Sequence, residues 1–184
     1  FPPDSPIYPT AADALNAVGA APNVRLFFAP STAYLDDLYL DTAIETIVFQ
    51  RFGSSANAST RPELGRVRLV PGFRSTFSIS FIGVVMTNGN GGGSQECLEV
   101  AGGMRLNVFI EDTKVLCGMT LQSLGSGSNY SISRNAHFAC GTSCPTLDIM
   151  SVNSSVYIVD ATMDHKMRIT VQDGSIFELW RRTH

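Results

Sequence analysis

An imidazole beside carboxylates is the least equipment that general acid–base chemistry requires, and Asp160, Asp164 and His165 supply it within one short stretch. Proximity along the chain does not make a site, because catalysis needs groups that converge in space. Asp164-His165-Lys166 therefore reads as a polar turn between strands, and His137 and His184 are scattered. No serine occupies a G-x-S-x-G elbow, and Gly125-Ser126-Gly127-Ser128 reads as a loop. Gly89 to Gly93 matches a phosphate cradle in composition only, without the Lys-Ser or Lys-Thr ending or a following helix. Asp36, Asp37, Asp41 and Glu45 have roughly helical spacing but not the alternating oxygen ligands of a calcium loop, so a solvated helix face is the expected role. Glu111, Asp112 and Asp148 are the carboxylates of the β-rich region that a carbohydrate-active hydrolase would have to use. The sequence predicts no catalytic residue, no metal site and no cofactor.

Cys97, Cys117, Cys140 and Cys144 are even in number and clustered, which points to two disulfides in an oxidising compartment. Of the three connectivities that four cysteines allow, Cys97 with Cys117 and Cys140 with Cys144 is favoured because each joins neighbouring segments. Their spacing lacks the paired C-x2-C knuckles of a zinc site. Asn57, Asn129 and Asn153 each begin an N-glycosylation triplet. These features place the chain outside the cell, secreted or in the matrix or cell surface. A net charge of −3 with 16% charged residues gives no basic face for nucleic acid. No apolar run is long enough to insert into a membrane. With 184 residues and 44% hydrophobic content, one core is expected.

The elements that would position such groups follow from local pattern. Residues 1–9, with prolines at 2, 3, 6 and 9, form an arm or linker, and residues 10–184 form one domain. Thr10, Asp13 and Gly19 mark the cap, first turn and stop of a short helix. Val24 to Ala29 reads as a strand ended by Pro30. Helices are expected after Ser31 and from about Thr42 to Gln50, although the β-branched residues of the latter also suit a strand. From residue 65 the period becomes two, clearest in Phe77, Ile79 and Phe81 alternating with serines. Further strands are expected at Met104 to Glu111, Lys114 to Leu121, Asn129 to Phe138, Val156 to Asp160, Met167 to Val171 and Ile176 to Arg181. Asp173-Gly174 signals a hairpin, so residues 164–184 are expected to form an additional C-terminal β-hairpin. Asn88 to Ser94 is an exposed connection, and no repeat of fixed period is present.

Arg25-Leu26-Phe27-Phe28-Ala29-Pro30-Ser31-Thr32-Ala33-Tyr34-Leu35, the segment Ala43 to Phe49 after it, and Thr146 to Met163, with Asn153 and Val156-Tyr157-Ile158-Val159-Asp160, together resemble the fasciclin-like domain. They are similar to its first signature, the helix that follows and its second signature. The chain departs from the pattern at Gln50, Ser154 and Tyr157, has a long central insertion, and extends past Met163. The resemblance implies an α+β, β-rich wedge or sandwich with short helices in the N-terminal third, in which the two signature segments close on one interior. It also implies non-enzymatic adhesion: an extracellular module binding a protein or glycan, with homotypic association as a further option. The alternatives are a viral or structural surface glycoprotein with a jelly-roll-like sandwich and the hydrolase described above.

Overall fold

The computed structural model describes residues 6–40, 43–53, 60–69, 76–89, 96–139, 146–164 and 166–180. These residues wind as a parallel β-solenoid, in which each strand pairs with the strand three further along the chain. The first sheet stacks seven strands: β1 (Asn23–Phe28), β4 (Thr46–Arg51), β7 (Thr76–Ile82), β10 (Arg105–Glu111), β13 (Asn129–Ser133), β16 (Ser155–Val159) and β19 (Ile176–Trp180). The second stacks six strands of two residues each: β2 (Ala33–Tyr34), β5 (Glu63–Leu64), β8 (Val85–Met86), β11 (Lys114–Val115), β14 (His137–Phe138) and β17 (Thr162–Met163). The third also stacks six: β3 (Leu38–Leu40), β6 (Val67–Leu69), β9 (Glu96–Gly102), β12 (Gly118–Ser123), β15 (Thr146–Val152) and β18 (Lys166–Gln172).

Alternation within each strand sends every second side chain inward, and the parallel register stacks those side chains into columns. Leu26, Phe49, Phe81, Ile110, Ile132 and Ile158 form one column across the first sheet, all buried. The rings of Phe49 and Phe81 lie stacked with centroids 5.3 Å apart and planes at 8°. Fully burying each such side chain contributes roughly 1.5–3 kcal/mol. The N-terminal end of this interior is covered by helix α1 (Ala11–Val18), which buries Ala11 and Leu15 and packs on β1 and β3. Thr10 caps it as its residue type predicts, its Oγ1 accepting from the Asp13 amide at 3.0 Å. At the other end, β19 is the last described rung, and Phe177 and Leu179 are 43% and 59% exposed.

The corner between the first and second sheets turns through left-handed residues at Gly83, Asp112, Asn135 and Asp160. Glycine has no Cβ to clash there, and Asp and Asn tolerate the region better than most. Their amides continue the ladder around the bend: Gly83 donates to Glu111, Asp112 to Arg134 and Asn135 to Asp160, at 2.8–3.1 Å. Circuits vary in length, from 20 residues between Thr146 and its partner Lys166 to 32 between Thr46 and Ser78.

Several expectations are overturned. The fold is a solenoid, neither a fasciclin-like wedge nor a sandwich of either kind, and α1 is the one helix longer than a turn among the described residues. The two signature-like segments do not close on each other, since four strands separate β1 from β16 in the first sheet. Ser31 caps no helix; it turns at φ 56° between β1 and β2. The described part of the stretch from about Thr42 to Gln50 runs into β4, whose β-branched Ile47 and Val48 are buried, between β1 and β7. Asp173-Gly174 does not close a hairpin, because β18 pairs with β15 and β19 with β16. Local turn chemistry fixes a bend and leaves open whether the next strand doubles back or moves on to another sheet.

Candidate functional site

The outward column at the middle of the first sheet alternates large and small side chains. Register aligns Val48, Ser80, Phe109, Ser131 and Tyr157 on successive strands. With rungs about 4.8 Å apart, Phe109 and Tyr157 stand roughly 10 Å apart over the gap left by Ser131. Phe109 is an exposed aromatic and Tyr157 is half-buried. Beside them runs a wholly uncharged polar column, Thr46, Ser78, Asn107, Asn129 and Ser155. The arrangement is a strip with two aromatic platforms, bordered on one side by hydroxyl and amide groups and on the other by Gln50, Ile82, Glu111 and Ser133, with Glu178 next after Tyr157 in the same column. The sequence exposes the alternation within each strand, but the column exists only once the register is known.

The hydrolase candidates do not converge. Glu111 pairs with Arg134 at 2.6 Å, Asp112 with Arg61 at 2.5 Å, and Asp148 lies on the third sheet in a two-pronged ion pair with Arg168. The hydrogen bonds from Arg168 hold the Asp148 carboxyl below its usual range despite opposing burial, which favours the charged form over a proton donor. His165 lies outside the described residues. Its neighbour Asp164 instead meets His137, with Nε2 and Oδ2 2.9 Å apart on the exposed outer side of the second sheet. Asp37 sits in no helix; it pairs with Arg68 at 2.8 Å and Arg66 at 3.9 Å. Asp41 lies outside the described residues, and no metal-binding cluster occurs among those described.

The Cys97–Cys117 disulfide is present, tying β9 to the turn before β12; Cys140 and Cys144 lie outside the described residues. Asn57 lies outside them too. Asn129 stands in the polar column with Oδ1 buried and unbonded, whereas Asn153 is exposed in a left-handed turn, its Nδ2 donating to Ser126 Oγ at 2.8 Å.

One polar cluster that sequence reading missed lies inside the solenoid. Ser123 and Ser128 Oγ are 2.6 Å apart, Ser123 donates to the Met104 carbonyl, and Ser128 accepts from the Leu106 amide. The buried Tyr130 hydroxyl faces these serines and Ser151, although neither Tyr130 Oη nor Ser151 Oγ completes a full hydrogen bond. Burial pushes the Tyr130 phenol up, outweighing its hydroxyl neighbours. Serines spread over three segments gave no linear signal for this cluster.

No protein family, curated protein or solved structure matches the chain.

Proposed function

We propose that this chain is a secreted, non-enzymatic recognition module whose first sheet binds an extended, neutral glycan along its outer face. The observation that carries the reading is the alternation Val48, Ser80, Phe109, Ser131, Tyr157 beside an uncharged Asn/Ser/Thr column. Aromatic faces present large apolar area at low entropic cost, and a few fixed polar groups orient a ligand rich in hydroxyls. A stacked solenoid repeats those groups along its axis, which suits a linear polymer better than a compact ligand. The disulfide and the N-glycosylation triplets support the extracellular assignment. The dispersal of Glu111, Asp112 and Asp148 onto separate arginine partners favours binding over hydrolysis.

Affinity electrophoresis against a panel of neutral and acidic polysaccharides tests this reading. The protein is made without N-glycans, because a glycan on Asn129 would stand in the proposed strip. Retention by at least one neutral polymer is expected, weakened about tenfold or more by Phe109→Ala and by Tyr157→Ala. Arg168→Gln, on another sheet, leaves it unchanged. Retention by acidic polymers alone, or retention indifferent to both aromatic substitutions, removes the basis for the proposal. Release of reducing ends from any retained polymer would favour the hydrolase.

A further inference from the structure

Residues Pro6 to Tyr8, helix α1 and β1 line a cavity of about 330 Å³, which lies one rung before Val48 and away from the aromatic rungs of the glycan strip. Its existence follows from side-chain size. The helix lines it with Ala11, Ala14 and Val18, too small to fill the space in front of Phe28 and Tyr34, whose rings meet edge to face at 5.0 Å. The volume falls at the lower end of small-molecule sites, roughly 300–1,000 Å³. Ile7, 80% exposed, and Phe27, 45% exposed, also line it, so the cavity opens to solvent.

Among the described residues a single charged side chain lines this cavity. Arg25 projects from the outward side of β1 and has no carboxylate partner among the described residues. A guanidinium that meets no carboxylate among the described residues, beside an apolar cavity, complements a molecule with an anionic head and an apolar tail. The tail leaves water for the space between α1 and Phe28, and the head receives the two parallel N–H donors that a guanidinium presents. A phosphate head would also meet the fork, but one arginine leaves most of its charge unpaired. We propose that the cavity binds a small amphipathic carboxylate, anchored by Arg25.

Isothermal titration of octanoate into the intact chain tests the site, with octanol and octylamine as probes of the head group. Saturable octanoate binding is expected, at least about tenfold tighter than octanol and with no measurable octylamine binding. Arg25→Gln, a substitution at an exposed position, is expected to lower octanoate affinity to that of octanol. Ala14→Phe is expected to abolish binding of both while the far-ultraviolet circular dichroism stays unchanged. Octanoate affinity indifferent to Arg25→Gln overturns the proposal, as does the absence of saturable octanoate binding to folded protein. Should Ala14→Phe disturb the fold, the Arg25→Gln comparison decides alone.

Discussion

The guanidinium of Arg51 lies 3.8 Å from the carboxylate of Asp112, two rungs away, and it reaches across the rung that Gly83 occupies. Asp112 receives Arg61 from the same corner at 2.5 Å, so one carboxylate serves two largely buried arginines. Gly83 adopts φ +68°, and a Cβ there would stand 3.3 Å from the Arg51 Cβ. Gly83→Ala is expected to cost about 1–2 kcal/mol through backbone strain and the displaced arginine stem. Urea denaturation checks this through a lower midpoint at unchanged slope. A loss within about 0.5 kcal/mol, typical of an ordinary surface substitution, would show that the corner relaxes freely.

The inward column predicts a gradient of sensitivity. Ile132 is 1% exposed and sandwiched between rungs, so Ile132→Ala should cost about 2–5 kcal/mol. Leu179 continues the same column on the last described rung yet is 59% exposed, so Leu179→Ala should cost under about 1 kcal/mol. Equal losses in thermal or urea unfolding would contradict the stacking order.

Acid stability should report Asp148. Its carboxyl is held below the usual range by hydrogen bonds from Arg168, so the folded state favours the ionised form. The resulting stabilisation is complete above the unfolded carboxyl pKa of about 4 and is lost as pH falls below it toward the folded value. Arg168 is 69% exposed, so solvent screening keeps the contribution small. Asp148→Asn is expected to make unfolding less steeply dependent on pH below about 4. An unchanged acid profile would mean the pair contributes nothing.

Reduction of the Cys97–Cys117 bridge gives a fourth test. The bridge closes a loop with a sequence separation of 20, for which the chain-entropy estimate is about 3 kcal/mol. Both cysteines are buried, so the paired substitution to alanine is the cleaner comparison with the oxidised form. A lower melting temperature is expected, and an identical one would show that the parallel ladders already restrict that segment.

Elements whose signals are local were readable from the sequence, and those defined by distant partners were not. Thr10 and Gly19 announce α1, and Phe77, Ile79 and Phe81 announce β7, because caps and alternation operate within a few residues. The expected strand from Asn129 to Phe138 is really β13 and β14 on different sheets, broken at Arg134 and Asn135. Two-residue strands are too short for alternation to register. Unequal circuits erase any fixed repeat, so the recurrence of Gly83, Asp112, Asn135 and Asp160 after first-sheet strands did not stand out. The aromatic strip was hidden for the same reason: Phe109 and Tyr157 become neighbours but one only through the partner strand that carries Ser131.

Parallel pairing between every third strand also gives the molecule a mechanical direction. The ladder hydrogen bonds run along the long axis, so tension applied along it loads one junction between rungs at a time. Among the described strands β19 has a neighbour on one side only, so peeling should begin there, while α1 covers β1 at the opposite end of the stack. Force spectroscopy would then record a stepwise unzipping from the Trp180 end, each step releasing one circuit of chain, in place of a single shear rupture.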